Sequence, residues 1–419
     1  MKRVESWYVS YALLGLSAAG LVPILLPLLE ARGGEAAHIG LVMAAFSLGG
    51  LTALVWGGLA DRFRLHRWLL VGGLLGTAAG AALLPSARSV LLRTALALLS
   101  GTGLAAASTV ANLFIVEAHP ADEWDARIGW LQTFYGGGQV VGLLLAGFFG
   151  LASPGEGLRL AGGASLVAVL PAVLGTRRGS AALVARRPLL SRAAHHAEWP
   201  CGSPQHLYHR PSLEGLRAFL SPFQASFGLF LVAWLFSFAG TAAFFSFYPV
   251  LMQQMYGVSP SRSSAGYAVA AGLGLLLYAP AGTWSTSRGP LIVLRDALGL
   301  RIVAFMALTM LATASFARRD WLALLFTVFV VLAWSLLSVS STALVAALSP
   351  GNEGEGMGLF NAATALSGVI GAALGGWAAS HWGYVAIPVM GLAGVAAGLV
   401  LMGARRFAAA TEGRVEVRR

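Results

Sequence analysis

The sequence predicts an all-α membrane protein with twelve transmembrane helices in two pseudo-symmetric six-helix bundles. Three observations predict this fold class: an apolar composition, twelve apolar stretches of membrane-spanning length, and a pattern that occurs in both halves of the chain. Of the 419 residues, 57% are hydrophobic and only 11% are charged, and the mean hydropathy is +0.74. A soluble domain carries about 25% charged residues, so this composition is typical of a protein that is solvated by lipid.

The distribution of charge excludes several other classes of protein. The formal net charge is +11, but the basic residues lie in short clusters between apolar stretches, as in membrane proteins, and no nucleic-acid partner is expected. The single cysteine, Cys201, excludes an internal disulfide and a Cys-rich metal site. The chain has no Gly-x-x-x-x-Gly-Lys-Ser/Thr loop and only one lysine, Lys2, which argues against an ATP-driven machine.

A membrane helix needs about 20 apolar residues, and twelve stretches meet this requirement. The predicted spans of the first half are 7–29, 38–57, 68–85, 89–117, 128–151 and 158–175. Those of the second half are 223–251, 264–282, 298–316, 320–348, 355–380 and 384–403. The first span is longer than the apolar part of a signal peptide and lacks a clear cleavage site, so we interpret it as a membrane helix. Arg295, Asp296 and Arg301 crowd the start of the ninth span.

These spans divide the chain into four predicted parts: an N-terminal bundle at 1–176, a cytoplasmic linker at 177–220, a C-terminal bundle at 221–404 and a cytoplasmic tail at 405–419. A short amphipathic helix is expected in the linker near Leu213–Leu220. With both termini inside, about three quarters of the 28 Lys and Arg residues face the cytoplasm. We therefore expect an integral protein of a bacterial-type inner (plasma) membrane with cytoplasmic N- and C-termini.

The two halves resemble each other in sequence. A Pro with acidic residues after it, then a Gly and an amide residue, occurs in 119–132 and again in 349–361, at an offset near 229. Two glycine pairs keep this offset: Gly142 with Gly371, and Gly147 with Gly376. The pattern predicts two parallel six-helix repeats, an arrangement that places a binding site between the halves near the membrane midplane.

The loop after the second span carries a recognisable motif, Gly57-Gly-Leu-Ala-Asp61-Arg62-Phe-Arg64-Leu-His-Arg67. It resembles the signature of the major facilitator superfamily, Gly-x-Leu-Ala-Asp-Arg-x-Gly-Arg-Arg, although Arg64 stands where the family has Gly. A weaker echo without the acid follows the eighth span, from Gly282 to Gly289. The resemblance, closest to the branch that exports small molecules and drugs, implies a secondary transporter.

The resemblance also implies a cytoplasmic gate. In the family the motif acid contacts the start of the eleventh helix, which corresponds here to Asp61 and the turn near Gly358. Arg62 or Arg127 would neutralise the acid, and Gly57 is the glycine that opens the motif. The alternative is that Asp61 and its arginines only anchor a short loop at the lipid headgroups, because a carboxylate at this boundary needs a partner.

Three residues are candidates for proton handling. The family has an arginine in the outer part of the fourth helix, and Arg93 is its counterpart, although the Gly expected four residues later is Ala97. Arg93 is alternatively a base that extends to the membrane surface. Glu30 and Glu117 lie at helix ends and are the candidate carboxylates. No Asp, Glu or Lys is expected in the middle of a helix, and no arginine lies deep enough for sugar phosphates or dicarboxylates.

Polar and aromatic side chains on the cavity-lining helices of the family are the candidate substrate contacts. They are Tyr11, Asn112, Gln132, Tyr135, Gln139, Trp234, Thr241, Tyr248, Trp334 and Asn361. For each of them the alternative is packing between helices. The set is aromatic and neutral, which favours an uncharged or amphipathic organic solute. The glycine-rich stretch from Gln132 to Gly142 resembles exporters of the superfamily without their Pro, and it favours export over uptake.

The sequence thus predicts a monomeric transporter that exports a small organic molecule by alternating access. Its partners would be the solute, the lipid bilayer and, as a candidate coupling ion, protons; no cofactor is expected. The alternatives are an uptake permease or facilitator of the same fold, and a non-transporting sensor or membrane-embedded enzyme. An enzyme is not favoured because no catalytic constellation lies in the spans. Histidines near Cys201 in the linker suggest a metal site, but incidental histidines in a polar segment are the preferred interpretation, so no metal is predicted.

Overall fold

The computed structural model describes residues 4–63, 65–119, 123–150, 152–193, 226–313, 318–349 and 353–403. In these ranges we number twelve helices. Those of the first half are α1 (Tyr8–Ala31), α2 (Ala36–Leu51 and Ala53–Phe63), α3 (His66–Leu83), α4 (Val90–Ala118), α5 (Trp124–Phe149) and α6 (Pro154–Ala193). Those of the second half are α7 (Ser226–Tyr256), α8 (Pro260–Arg288), α9 (Pro290–Thr313), α10 (Arg319–Leu348), α11 (Glu353–Trp382) and α12 (Ala386–Gly403).

The helices have the length and composition of membrane spans. In the described ranges nine helices are long and apolar enough to cross a membrane, and Ala36–Leu51 is a shorter apolar helix. α9 is not among the nine, and it carries the three charges that crowd the start of the ninth predicted span. No strand occurs among the described residues. The predicted all-α membrane fold class is confirmed.

Local sequence signals explain several helix boundaries. Ser89 precedes α4, and its Oγ accepts a hydrogen bond from the Leu92 amide at 3.2 Å, which satisfies one of the free N–H groups at the helix start. Gly289 separates α8 from α9 with φ 91°, and Gly383 follows α11 with φ 75°. Glycine adopts this left-handed conformation without a steric penalty, so these two positions allow the chain to reverse direction.

The described residues fall into two compact units. Unit 1 contains those of Met1–Gly34, Leu41–Pro200 and Pro260–Ala268, and unit 2 contains those of Glu35–Gly40, Cys201–Ser259 and Val269–Arg419. The first turns of α8 therefore group with unit 1, where Ser261 Oγ donates to the Gly147 carbonyl at 2.5 Å. The first residues of α2 group with unit 2, where the backbone of Gly40 packs on that of Gly376. The predicted part boundaries stay a prediction.

The same helix pairs pack in both units. In unit 1, α1 packs on α5 and α6, and α3 packs on α4 and α6. In unit 2, α7 packs on α11 and α12, and α9 packs on α10 and α12. Each pair of the second unit thus corresponds to a pair of the first with six added to each helix number. This correspondence is the internal repeat that the sequence pattern predicts.

Glycine allows the equivalent helices of the two units to approach closely. A methyl group at Gly138 or Gly142 of α5 would overlap the backbone of α1, at the carbonyls of Ala12 and Leu16. A methyl group at Gly371 of α11 would overlap the Ala239 carbonyl of α7. Small residues that bring backbones together are typical of membrane helix interfaces. The repeat pair Gly142 and Gly371 therefore has one packing role in both units.

Two helices extend beyond their predicted spans. α6 continues to Ala193, whereas its predicted span ends at 175, and α9 begins at Pro290, whereas its predicted span begins at 298. Hydropathy marks only the lipid-embedded part of a helix, and polar turns at its ends are not detected. The earlier start of α9 moves Arg301 from the beginning of the helix to its middle. The predicted amphipathic helix at Leu213–Leu220 lies outside the described residues.

Candidate functional site

An aromatic cluster lies in unit 2 where α7, α10 and α11 meet. Trp234 of α7 stacks on Phe238 with ring centroids 5.6 Å apart, and Phe238 lies 5.6 Å from Trp334 of α10. Phe360 of α11 lies 4.8 Å from Trp234 and 6.0 Å from Phe230. The structure thus brings together Trp234 and Trp334, two of the predicted substrate contacts, and adds three phenylalanines to them.

A hydrogen bond fixes the orientation of the central ring in this cluster. Trp234 is 1% exposed, and its Nε1 donates to Thr364 Oγ1 of α11 at 2.8 Å. The Thr364 hydroxyl in turn donates to the Phe360 carbonyl at 2.9 Å. A buried indole N–H that lacked a partner would be costly, so this bond lets Trp234 sit deep in the unit. Trp234, Phe230 and Phe360 are buried, whereas the rings of Phe238 and Trp334 are partly exposed.

Arg301 is a buried charge that contradicts one expectation from the sequence. It lies in the middle of α9 and is 2% exposed, so an arginine does lie deep in a helix. Its guanidinium donates to Thr241 Oγ1 at 3.2 Å and to the Val330 carbonyl at 3.4 Å. The expectation was wrong because hydropathy placed the start of α9 too late. Charged groups within membrane helices are costly and mark functional sites by default.

The remaining predicted contacts of unit 2 lie apart from the aromatic cluster. Tyr248 is fourteen residues after Trp234 in α7, about 21 Å along the helix, and its ring lies 5.8 Å from that of Phe244. Asn361 is exposed, next to Phe360 in the chain. Thr241 is buried against Arg301. In this unit the predicted set thus separates into an aromatic group, a charged group and an outlying tyrosine.

A smaller polar cluster lies in unit 1. Tyr11 of α1 is buried, and its ring lies 5.0 Å from that of Tyr135 in α5. The side chains of Ser108 and Gln132 approach the Tyr11 hydroxyl. Asn112 donates from Nδ2 to the Ser108 carbonyl at 3.1 Å, whereas its Oδ1 is buried and accepts no hydrogen bond from a described residue. This oxygen is a free acceptor for a donor group of a ligand.

Gln139 lies in a different position from the residues of this polar cluster. It is half-buried in α5, next to Gly138 and one turn before Gly142. Its backbone carbonyl lies 2.8 Å from the point where a side chain at Gly20 would begin. Its main-chain role is therefore close packing of α5 on α1.

Two candidates for proton handling form an ion pair in unit 1. Arg93 of α4 contacts Glu30 of α1, with NH1 and Oε2 2.9 Å apart. Glu30 is 1% exposed, and the Arg93 side chain is 18% exposed. A buried carboxylate needs such a partner because its desolvation is costly. The third candidate, Glu117, belongs to α4, but the structure does not describe its side chain.

Arg127 occupies a charged network at the first turn of α5. Its guanidinium contacts Glu123 at 2.7 Å and Glu5 at 2.8 Å. His119 Nε2 lies 2.7 Å from the same Glu5 carboxylate, and Trp7 Nε1 donates to Glu5 at 2.9 Å. The network ties the segment before α1 to the connection between α4 and α5.

The predicted gate is only partly visible. The backbone of the motif from Gly57 to Arg62 lies in α2, and Gly358 lies in the second turn of α11. The structure does not describe the side chains of Asp61 and Arg62. The observed partners of Arg127 are Glu5 and Glu123. The gate therefore stays a prediction.

Sequence reasoning missed two groups of residues. Phe230 and Phe238 flank Trp234 at intervals of four residues, a spacing that places all three on one helix face and is visible in the sequence. His119 and Glu123 belong to the repeat pattern at 119–132, but only the fold shows that they and Glu5 form a network with Arg127. No group of three or more His, Cys, Asp or Glu that could hold a metal occurs in the described ranges. The linker histidines lie outside those ranges.

The fold and these clusters define a class of protein: a polytopic helical membrane protein with two six-helix repeats and polar groups inside them. The chain belongs to the Major Facilitator Superfamily, whose family profile matches residues 7–317. Membership supports a role in membrane transport and points away from an enzyme. No curated protein sequence matches the chain.

Solved structures of transporters resemble the chain over almost its whole length. A mutant of the nucleoside transporter NupG has a TM-score of 0.73 at 13% identity, with 97% of this chain and 99% of that chain covered. A D-xylose-proton symporter has a TM-score of 0.68 at 17% identity, covering 94% and 95%. The peptide transporter POT in complex with sulfate has a TM-score of 0.67 at 17% identity, covering 95% and 93%. At these identities the likeness shows the fold alone.

Proposed function

We propose that the chain is a secondary active transporter that exports a small, uncharged or amphipathic organic solute by alternating access, with protons as the coupling ion. The observation that carries the solute class is the aromatic cluster around Trp234. Aromatic faces attract flat apolar groups by stacking and edge contacts. The indole N–H of Trp234 is already bonded to Thr364, and the partly exposed rings of Phe238 and Trp334 would supply the apolar surface for the solute.

Arg301 further limits the solute to molecules without a positive charge. Its acceptor Thr241 lies seven residues after Trp234 in α7, about 10 Å along the helix. At this separation and an effective dielectric constant of about 20, two unit charges interact by about 1.7 kcal/mol. A cationic solute at the aromatic cluster would be repelled by roughly this amount. Neutral compounds would not be affected.

The ion pair between Glu30 and Arg93 supports proton coupling. Protonation of the Glu30 carboxylate would remove its charge and weaken the contact between α1 and α4, so the two protonation states would favour different packing of these helices. The D-xylose-proton symporter is a proton-coupled protein with the same fold, which is compatible with coupling in this chain.

Export, rather than uptake, is the proposed direction. It rests on the glycine-rich stretch of α5, where Gly138 and Gly142 allow close packing on α1. Asp61, Arg62 and Gly57 are proposed to close the cytoplasmic gate against the start of α11 near Gly358. The chain would act as a monomer in the plasma membrane with both termini in the cytoplasm.

Purified protein in liposomes with an imposed pH gradient tests the proposal. Suitable probes are radiolabelled uridine and chloramphenicol, which are neutral and aromatic, D-xylose, which is neutral without an aromatic ring, and tetraphenylphosphonium, an aromatic cation. We expect a neutral aromatic probe to move in the direction opposite to the flow of protons down the imposed gradient. Uptake of D-xylose and of tetraphenylphosphonium should remain at the level of empty liposomes. Transport of tetraphenylphosphonium or D-xylose at the same rate as uridine or chloramphenicol would contradict the proposed solute class. So would a failure to transport both uridine and chloramphenicol.

The same liposomes test direction and coupling. Export predicts that the probe accumulates only in liposomes in which the protein is inserted inside out. A membrane-impermeant label on the N-terminus identifies this orientation. Uptake predicts accumulation in the opposite orientation. Equal rates with and without the pH gradient would indicate a facilitator rather than a proton-coupled transporter.

A further inference from the structure

The first helix of unit 1 contains a segment that is not α-helical. Within α1, the backbone is α-helical over Tyr8–Leu14 and Val22–Ala31, whereas Gly15–Leu21 between them forms a π-helical turn, the π turn. At its end the Val22 amide donates to the Ser17 carbonyl, five residues back instead of the four of an α-helix. Such turns are rare and occur frequently at functional sites. Because this turn encloses one residue more than an α-helical turn, α1 holds an extra residue at this point.

The spacing of two glycines explains why this turn is wide. A methyl group at Gly15 would overlap the Tyr135 carbonyl of α5, and one at Gly20 would overlap the backbone of Gly142. Both glycines therefore face α5, although residues five apart in a continuous α-helix point about 140° away from each other. A turn that closes between residues i and i+5 brings them to the same side. The π turn thus allows both glycines to pack on α5.

The corresponding helix of the second repeat packs without such a turn. α7 contacts α11 and α12 as α1 contacts α5 and α6, yet α7 is α-helical throughout Ser226–Tyr256. The π turn is therefore not a requirement of this packing arrangement. Along α1 it separates Tyr11, a member of the polar cluster of unit 1, from Glu30, which pairs with Arg93. Its position is between the candidate solute contact and the candidate proton carrier.

The wide turn leaves a buried hydroxyl group without a partner. Ser17 is fully buried, and its Oγ forms no hydrogen bond with a described residue. In an α-helix a serine can donate to the carbonyl four residues back, as Ser237 of α7 does to Ala233. Conversion of the π turn to α-helix would offer Ser17 the Leu13 carbonyl, but it would also turn one glycine away from α5. A gain and a loss therefore oppose each other, and the two forms of the turn compete.

We propose that the π turn is a hinge, and that α1 alternates between these two forms as the transporter works. The proposal rests on the transport function proposed above. Loss of the extra residue from the turn would rotate Tyr8–Leu14 by about 100° and shift it by about 1.5 Å relative to the outer half of α1. Tyr11 would then move away from Ser108 and Gln132. Since Glu30 lies in the outer half, its protonation and the solute contact at Tyr11 are linked through the hinge.

Removal of one residue from the turn tests its register without a substrate. Deletion of Ala19 leaves Gly15 and Gly20 four residues apart, on one face of a continuous α-helix, so both halves of α1 keep their packing. We expect thermal unfolding in detergent within a few degrees of the wild type. Deletion of Ala242 is the matched control, because this alanine is also half-buried but lies in a helix without a π turn. The rest of α7 would turn by about 100°, and the unfolding temperature should fall sharply. Equal losses in the two deletions would overturn the proposal.

A spin label at Val9 follows the inner half of α1 directly. Val9 is 45% exposed, and Val9→Cys in a Cys201→Ser background provides the attachment site. A rotation of about 100° would carry the label from the exposed surface against the neighbouring helices. Electron paramagnetic resonance in liposomes should therefore show a mobile and an immobilised component, of which only one remains when Ala19 is deleted. A single component in both proteins would overturn the hinge, whether or not the chain transports uridine.

Transport of uridine and chloramphenicol in liposomes tests whether the hinge is used. Deletion of Ala19 should reduce transport to the level of empty liposomes. Insertion of one alanine between Leu16 and Ser17 of this variant restores the length of the turn and should restore transport. Normal transport by the Ala19 deletion would overturn the proposal. Two label components in a wild-type protein that transports neither probe would reject the proposed function and retain the hinge.

Discussion

Glu30 and Arg93 place two charges at the contact between α1 and α4, where the Glu30 carboxylate is buried. Their ion pair differs from that of Glu156 and Arg159, which are both more than half exposed at a distance of 2.5 Å. Loss of one partner from a buried pair costs about 3–5 kcal/mol, whereas an exposed pair contributes about 0–1 kcal/mol. The two pairs therefore provide a built-in comparison of buried and exposed charges in one unit.

Arg93→Gln should destabilise the protein, because it removes the cation that contacts the buried Glu30 carboxylate at 2.9 Å. We expect a loss of about 3–5 kcal/mol, measured by thermal or denaturant unfolding in detergent. Arg159→Gln is the control and should change stability by less than about 1 kcal/mol. Equal effects of the two substitutions would show that the Glu30–Arg93 pair is solvated.

Glu30→Gln should uncouple transport from the proton gradient, because an amide keeps the shape of the carboxyl group but cannot take up a proton. The expected result is transport of the neutral aromatic probe at similar rates with and without a pH gradient. Glu156→Gln should keep the dependence of the wild type. A Glu30→Gln protein that still responds fully to the gradient would exclude Glu30 as the proton carrier.

Arg301→Gln should relax the selection against cations, because the amide can still donate to Thr241 but carries no charge. Removal of about 1.7 kcal/mol of repulsion corresponds to a gain of about 18-fold in the affinity for tetraphenylphosphonium. The gain can be measured by thermal shift on the purified protein, with uridine as the neutral probe whose affinity should not change. An unchanged cation affinity would place Arg301 outside the solute's environment.

At the scale of the helix, the contact between α1 and α5 depends on which face of α5 a glycine occupies. Gly138 packs on the Ala12 carbonyl, whereas a methyl group at Gly137 would meet nothing within 4 Å. Gly138→Ala should therefore separate the two helices and lower the unfolding temperature. Gly137→Ala should raise stability by about 0.5–1 kcal/mol, because alanine is the better helix former.

The comparison of these two variants by thermal unfolding needs no substrate. Gly371→Ala in α11 should behave like Gly138→Ala, because its methyl group would overlap the Ala239 carbonyl. If Gly138→Ala were as stable as Gly137→Ala, the close approach of α1 and α5 would be wrong.

Helix boundaries show where hydropathy stops being informative. It located all twelve helices, since lipid-embedded lengths are continuous apolar stretches. It missed the start of α9, because Arg295 and Asp296 interrupt the apolar pattern although the backbone remains helical. Arg301 was therefore placed at a helix end, and its contact with Thr241 required knowledge of how α7 and α9 pack.

At the scale of the whole molecule, the fold was more predictable than the site. The repeat at an offset near 229 identified Gly142 and Gly371 as equivalent, and both pack on the first helix of their unit. Glu30 and Arg93 were each identified from the sequence, but 63 positions separate them, and only the fold shows that they pair. Phe360 carried no signal of its own, because an aromatic residue in an apolar helix is common in any membrane protein.

The central claim is that lipid surrounds twelve helices in two like-oriented repeats, with both termini and the linker in the cytoplasm. Single cysteines in a Cys201→Ser background test it, labelled in intact cells with a membrane-impermeant maleimide. We predict labelling of cysteines that replace Ser89, Ser153 and Ser259, and protection of those that replace Ser203, Ser287 and Thr411 until the cells are permeabilised. Labelling of the Ser203 position in intact cells, or of Ser89 and Ser287 from the same side, would contradict the account.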